Sequence, residues 1–412
     1  LVPIFNRAHY GRLRPVLKAI KNHPALDLKI IVGVPAAYGY FFKNILNSKP
    51  QSWLAALPWY VLARFRSLAG KSFVFRNDFL AKNLIGDGFD IESYAPIFFD
   101  GGKSETMAKT VGLGIERLVE EIKKIRPDIV FVNADRFEMI AVAIAASYLN
   151  IPVAHNEGGD VSGTIDESVR HAITKLDHIH FTSTESSRRR VIQMGEQPEN
   201  VFSVGSPAID AVAGIDFRKQ PLVFPELDIN KPYLLVLVHP VATNSKEENI
   251  KMAANLISVI KKLPVPKIIL GSNIDAGSDV LGGVIKSWLD DEKPNDVFFT
   301  KHLHPDDFYK YLKYTTCAVG NSSSFIREGA FLGTPVVLLG SRQKNRERAE
   351  NVLEYDGTDV EEIKEAILSQ CKKGHYDRSS SFGDGRTGQK IADLLADIAP
   401  DIQKCFHDIT TN

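Results

Sequence analysis

Residues 151–176 read IPVAHNEGGDVSGTIDESVRHAITKL, and the way this stretch divides decides the fold. The apolar run IPVA has the length of a buried strand, and HNEGGDVSG is too polar and glycine-rich to be anything but a loop leaving that strand's carboxyl end. Thr164 to Glu167 has the form of a capping box, in which a hydroxyl and a carboxylate satisfy free N–H groups as a helix begins. Ile165, Val169, Ala172, Ile173 and Leu176 then share one face of that helix.

The same stretch concentrates chemistry. On such a helix Asp166 and Arg170 lie one turn apart, as do Glu167 and His171, so two ionic pairs can stack beside the loop. Taken singly these are ordinary features: Glu167 serves as a cap, and Asp166 with Arg170 as a surface pair. A loop that also gathers His155, Glu157 and Asp160 at a strand's end is the arrangement expected of a functional site.

Outward from this unit, apolar runs of strand length alternate with helical patterns. LVPIF, LKIIVGV, DIVFVN and IPVA are followed by HIHFTST, VFSVG, YLLVLV, KIILG, VFFT, CAVG and VVLLG. This is the rhythm of an α/β protein with parallel sheets wound by helices. With 412 residues the chain exceeds one comfortable core, which predicts two domains. The rhythm breaks near Ser206 to Pro232, so the expected division is 1–206 and 207–380. Residues 381–412 then contain a last helix, Gln389 to Ile398, that packs back on the first domain.

Composition narrows the function. Fifty basic residues balance fifty acidic ones, which leaves no global field to attract nucleic acid or an anionic membrane. Cys317, Cys371 and Cys405 have neither metal-ligand spacing nor a paired pattern, and neither a secretory signal nor an apolar run of about 18 residues occurs. A cytoplasmic protein without membrane contact is the expectation.

Ligands of open α/β sheets bind outside the carboxyl ends of the strands. DIVFVN delivers Asp135 and Arg136 there, IPVA delivers His155 and Glu157, YLLVLV delivers His239, KIILG delivers Asn273 and Asp275, and VVLLG delivers Arg342. CAVG runs into Gly320-Asn-Ser-Ser-Ser324 and then a helix, whose free N–H groups and hydroxyls suit an anion. Arg342 adds a guanidinium fit for phosphate. Glu328, one turn into that helix, suits a ribose or the helix dipole. Neither GxxxxGK[ST], nor GxGxxG after the first strand, nor HExxH occurs, which disfavours kinase, P-loop, dinucleotide and metal-hydrolase readings.

Three segments together carry a resemblance: NRAHYGRLRP (6–15), HNEGGDVSGTIDESVRHAITKLDHIHF (155–181) and GNSSSFIREGAFLGTPVVLLGSRQKNRERAENV (320–352). They resemble the signature segments of the hydrolysing UDP-N-acetylglucosamine 2-epimerases, which feed sialic and related nonulosonic acid pathways. The resemblance implies two Rossmann-like domains in a glycosyltransferase-B-like pair, with a nucleotide sugar in the cleft and neither metal nor cofactor. The substrate it implies is a UDP-linked 2-acetamido sugar, either UDP-N-acetylglucosamine or a 4-amino-6-deoxy derivative. The products would be UDP and the free manno-configured sugar.

Carried over by position, Asp135, Glu157 and Asp166 match the family's catalytic acids. Arg7, Arg12, Arg136, Arg170, His239, Ser322, Ser323, Glu328 and Arg342 match its substrate-binding residues, Asn273 and Asp275 fall near the nucleotide, and Glu167 and His171 join them beside the loop. A homo-oligomer is implied as well. The rival readings are a sugar transferase of the same fold and an inactive nucleotide-sugar-binding paralogue. The chain departs from the family at His9, where an acid is usual, at Asn156, and in VGVPAAYGY. It also carries an insertion near 45–80, where Trp53, Trp59, Tyr60 and Phe65 interleave with Arg64, Arg66, Lys71 and Arg76. An extra helix packing on its own domain or on a second subunit is expected there.

Overall fold

A computed structural model of the chain describes residues 1–36, 79–99, 104–162, 165–241, 244–271, 278–301, 303–398 and 401–409. The side chain of Arg7, Gly163, Thr164, Asn273, Asp275 and nearly all of the insertion lie outside the described residues.

Parallel strands β1 (Val2–Ile4), β2 (Ile30–Pro35) and β3 (Ser93–Phe98) form one ribbon in that order. A second ribbon runs β4 (Val130–Asn133), β5 (Val153–Asn156), β6 (Ile179–Thr182) and β7 (Val201–Ser203), again all parallel. The two meet at β1 and β4. There the Leu1 amine donates to the Ile129 carbonyl at 2.7 Å, and the Phe131 N–H donates to the Leu1 carbonyl at 2.8 Å. The combined order is β3-β2-β1-β4-β5-β6-β7, so the winding reverses between β1 and β4 and opens a crevice at their carboxyl ends.

The other half repeats the design. Strands β8 (Leu234–Leu237), β9 (Lys267–Leu270), β10 (Val297–Thr300), β11 (Cys317–Gly320), β12 (Val336–Leu339) and β13 (Val352–Tyr355) are ordered β10-β9-β8-β11-β12-β13. Its reversal falls between β8 and β11, and Gly320 makes their close pairing possible there. Gly320 has φ +147°, and a Cβ on it would stand 1.9 Å from the Leu237 carbonyl oxygen, a position that no side chain tolerates.

Both sheets are buried by runs of Ile, Val and Leu, as strands covered on two faces require. The core under β1 and β2 joins Leu13, Val16 and Leu17 of the Arg7–Asn22 helix to Ile391, Ala392 and Leu395 of the Thr387–Asp397 helix. That last helix starts by donating the Thr387 and Gly388 N–H groups to the Asp210 carboxylate at 2.9 and 2.7 Å. Burying Ile391 and Leu395 there contributes roughly 1.5–3 kcal/mol each. Among the described residues no helix is long and apolar enough to cross a membrane.

The helix-wound parallel architecture expected from the apolar rhythm is present. Two strands escape that rhythm. β3 (SYAPIF) carries Pro96, and β13 (VLEY) is an edge strand whose residues are half-buried or exposed. The stretch read as a linker also opens with a helix, Pro207–Ala213, capped by Ser206, whose hydroxyl accepts from the Ala208 N–H.

Candidate functional site

Two neighbouring strands beside the first crevice, β4 and β5, turn sharply at their carboxyl ends, and both turns use a left-handed residue other than glycine. Ala134 follows β4 at φ 60°, and Glu157 follows β5 at φ 65°. Such conformations cost about 1–3 kcal/mol each and persist only where surrounding structure holds them. Here the Ala134 N–H donates to the Asn156 carbonyl at 2.9 Å, and the Ala134 carbonyl accepts from His155 Nε2 at 2.9 Å. The Glu157 N–H donates to the Phe181 carbonyl at 2.8 Å.

Asp135 is thereby turned toward Arg170, with which it forms an ion pair. The Arg170 guanidinium, 1% exposed, also donates to the Asp160 carbonyl at 2.5 Å. It thus ties the end of β4, the glycine-rich loop and the Ile165–Leu176 helix together. Asp166 and Glu167 lie in the first turn of that helix. Glu167 accepts from the Ser162 N–H and lies 3.9 Å from His171, so the one-turn pair foreseen for it exists, while the Thr164 end of the expected capping box lies outside the described residues. Burial, then Arg170, lowers the His171 pKa.

Glu157 is buried, and its Oε1 accepts from Ser206 Oγ at 2.9 Å and from Arg327 Nη1 at 2.7 Å. Burial alone would raise its pKa, but the Arg327 charge, Arg12, the Ser206 hydrogen bond and Arg346 outweigh it and hold the carboxyl down to about 2. Asp160, three residues on, is pushed the other way by burial against the opposing charge of Arg346. Two carboxyls on one loop are thus driven apart in acidity, the pattern that lets a site hold a base and an acid at one pH.

Asn6 caps the Arg7–Asn22 helix by accepting the His9 N–H at 2.9 Å, and its amide donates to Glu138 at 3.3 Å. Arg136 donates to the same Glu138 oxygen at 2.9 Å. His9 is buried and its Nδ1 has no hydrogen-bond partner. Burial, then the charges of Arg136 and Arg12, depress its pKa to about 3 and keep the ring neutral.

Across the crevice Asn321 staples the ends of β8 and β11. Its side chain accepts from the His239 N–H at 2.7 Å and donates to the His239 carbonyl at 2.8 Å. Its own carbonyl accepts from Gln343 at 3.1 Å and from Arg342 at 3.4 Å. Ser322 caps the Ser323–Leu332 helix, leaving that helix's amino end facing the crevice as a ready anion site. His239 is buried and held neutral, its pKa depressed to about 3 by burial and by Arg342. Glu328 is buried, with one carboxylate oxygen lacking a hydrogen-bond partner.

Among the described residues, Arg12 to Ser323 at 3.5 Å, Glu157 to Arg327 at 2.7 Å and Asp160 to Arg346 at 4.0 Å join the two halves across the crevice. Asp135, Glu157, Arg136, His239, Ser322, Ser323 and Arg342 lie at the strand ends or helix starts that border this crevice, and Arg12 and Arg170 reach it from the second turns of their helices. Arg327, Arg346, Asn321, Gln343 and Ser206 were missed from the sequence. Arg327 stands one helical turn after Ser323, and Arg346 follows Arg342 by four residues, so helical spacing was the available signal for the first. Among the described residues no group of three His, Cys, Asp or Glu side chains could hold a metal ion. The three cysteines are unpaired.

Comparison with known proteins gives matching results. The sequence model of a family described as UDP-N-acetylglucosamine 2-epimerase matches residues 75–396. The UDP-N,N'-diacetylbacillosamine 2-epimerase (hydrolyzing) of Legionella pneumophila is 33% identical over 398 residues, 95% of this chain and 94% of that protein. A polysialic acid biosynthesis protein of Escherichia coli is 36% identical over 231 residues, 55% of this chain and 58% of that protein. Among solved structures, the UDP-GlcNAc 2-epimerase of Methanocaldococcus jannaschii, in complex with UDP-GlcNAc and UDP, superposes with a TM-score of 0.73 at 18% identity, covering 96% of this chain and 98% of that one.

Proposed function

The chain belongs to the UDP-N-acetylglucosamine 2-epimerase family, and from that premise we propose that it is a hydrolysing 2-epimerase whose site is the crevice bordered by Asp135, Glu157 and Asp166. Its substrate is a UDP-linked 2-acetamido sugar, with UDP-N,N'-diacetylbacillosamine favoured over UDP-N-acetylglucosamine by the Legionella relative. The products are UDP and the free manno-configured sugar, an intermediate of nonulosonic acid synthesis.

The chemistry asks for two half-reactions. A carboxylate removes the C2 proton, the C2–H electrons form the C1=C2 bond, and the C1–O bond to UDP breaks to give a glycal. Water then adds at C1 while a proton returns to C2 from the opposite face. Such steps need one carboxylate as base, another as acid, and cations for the charge gathering on the departing diphosphate.

One observation carries the reading. Glu157 is kept ionised at a strained strand end by Arg327 of the other half, beside the Asp135–Arg170 pair. This supports Glu157 as a base in waiting, released when substrate draws Arg327 toward the diphosphate. Asp135 and Asp166 then serve the proton transfers of separate half-reactions. Ser322, Ser323, Arg12 and Arg342 take the diphosphate, Glu328 the ribose, and Arg136, Glu167, Arg170, His171 and His239 line the remainder, with Arg7, Asn273 and Asp275 assigned to substrate binding by the resemblance of sequence alone.

The proposal includes a division into 1–206, 207–380 and 381–412, cytoplasmic location and homo-oligomeric assembly. Unpaired cysteines support the location, and sedimentation would test the assembly. A panel of UDP and GDP 2-acetamido sugars, assayed for nucleotide release with the free sugar identified, tests the function. Release of UDP with a manno-configured sugar is expected. Transfer of the sugar to an acceptor, or no release from any member, would reject it.

A further inference from the structure

Behind the crevice lies a buried polar pair that the proposed chemistry does not use. Asp177 is 0% exposed, and neither of its carboxylate oxygens meets a hydrogen-bond donor. The polar ring atom beside it is Nδ1 of His155, 3.5 Å from Oδ2, and His155 is also 0% exposed. On the far side of the ring, Nε2 lies 2.9 Å from the Ala134 carbonyl. A carbonyl only accepts, so Nε2 carries the hydrogen.

The charged groups around the pair are already engaged. Lys404 donates to the backbone carbonyls of Thr174, Lys175 and Asp177 and forms an ion pair with Glu196 at 2.7 Å. Glu196 also accepts from Lys175 at 2.6 Å and lies 3.1 Å from His180 Nε2. Thr174 Oγ1 stands 3.4 Å from His155 Nδ1 and donates to the Arg170 carbonyl at 3.1 Å. One proton therefore has two homes, on Asp177 or on His155 Nδ1. The second choice creates a carboxylate and an imidazolium in a dry site where the carboxylate has no hydrogen bond from any other donor, and burying such unsupported charges costs several kcal/mol each. Burial presses both groups the same way, raising the Asp177 pKa well above the carboxylate range and lowering that of His155 to about 3.

We propose that Asp177 is a positioning residue of the site: a neutral carboxylic acid whose O–H donates to His155 Nδ1, fixing the Nε2–H tautomer that holds the Ala134 carbonyl and, one residue on, Asp135. The relay explains how Ala134 keeps its left-handed φ of 60°. It also explains why a histidine, with two distinct ring nitrogens, occupies the middle of β5.

The test pairs spectroscopy with kinetics on the intact chain. The difference infrared spectrum of wild type minus Asp177→Asn is expected to show the C=O stretch of a protonated carboxylic acid, unchanged throughout neutral pH. Nitrogen chemical shifts of His155 are expected to report the Nε2–H tautomer in wild type and in Asp177→Asn, whose amide can donate to Nδ1. Asp177→Leu should lose that tautomer preference and lower kcat by on the order of 10- to 10²-fold with KM nearly unchanged, as misplacement of a reacting group does. Absence of the carboxylic acid band overturns the proposal, as does an Asp177→Asn variant impaired as much as Asp177→Leu. A folded Asp177→Leu with wild-type kcat does so too. The kinetic arm rests on the epimerase reading. Should no nucleotide sugar be turned over by wild type, that reading falls, and the infrared and nitrogen signals still decide the state of Asp177.

Discussion

Glu157 and Arg327, 170 residues apart in the chain, form a 2.7 Å ion pair that is almost wholly buried and joins the two halves of the molecule. Its strength depends on both partners staying in place. Replacing Arg327 by Ala leaves an ionised carboxylate buried and unpaired, which by precedent costs about 3–5 kcal/mol. Urea unfolding of Arg327→Ala against Glu157→Gln/Arg327→Met should show the double variant recovering much of that loss. The pair also gives a pH signature. The folded pKa of Glu157 is depressed from 4.5 to about 2, so its contribution is complete above pH 4.5 and is lost as pH falls toward 2. Glu157→Gln should flatten the stability curve in that window.

Gly320 should tolerate no side chain. A Cβ there would stand 1.9 Å from the Leu237 carbonyl oxygen at φ +147°, so Gly320→Ala should destabilise by about 3 kcal/mol or more and loosen β8 from β11. Thermal unfolding and amide exchange at Leu237 and Gly320 would check it.

Arg342, whose Nη1 donates to the Asn321 carbonyl at 3.4 Å, holds the diphosphate in the proposed function. Arg342→Ala should weaken UDP binding by about 1.5–3 kcal/mol, the range of a charge-assisted hydrogen bond. Calorimetry on the folded variant measures this directly, and unchanged affinity would remove Arg342 from the site.

His9 and His239 should be silent in the neutral pH range. Their pKa values fall from 6.5 to about 3, in each case chiefly through burial and then through neighbouring arginines. Both rings stay neutral in the fold while the unfolded chain protonates below 6.5, so their contribution to stability is full above 6.5 and is lost as pH falls toward 3. Proton NMR titration of the two rings should show no transition between about pH 5 and 8, where an unperturbed histidine titrates.

Much of this was legible in the chain. IPVA, DIVFVN and CAVG are apolar runs ended by polar residues, and hydrophobic burial fixes them as strands wherever they fall. β3 and β13 were not legible because Pro96 interrupts one and Glu354 and Tyr355 make the other half polar at a sheet edge. The crevice residues next to strand ends, such as Asp135 and His239, followed from position alone. Arg327, Arg346 and Ser206 did not, since each acquires its role from a carboxylate or a carboxamide elsewhere in space. His155 looked like chemistry and is engaged behind the site, where its ring supports the Ala134 carbonyl.

The central claim is that C2 of the sugar surrenders its proton to the enzyme and takes another from solvent. Replacing Asp135, Glu157 or Asp166 by the corresponding amide removes an acid or base while keeping shape, which should cost about 10²–10⁴-fold in rate. At least one of Asp135→Asn and Asp166→Asn should release UDP and let the glycal escape. The most direct measurement is turnover in D2O with the free sugar analysed by NMR. Deuterium at C2 of the manno-configured product is the predicted result, and protium at that position would contradict the elimination mechanism.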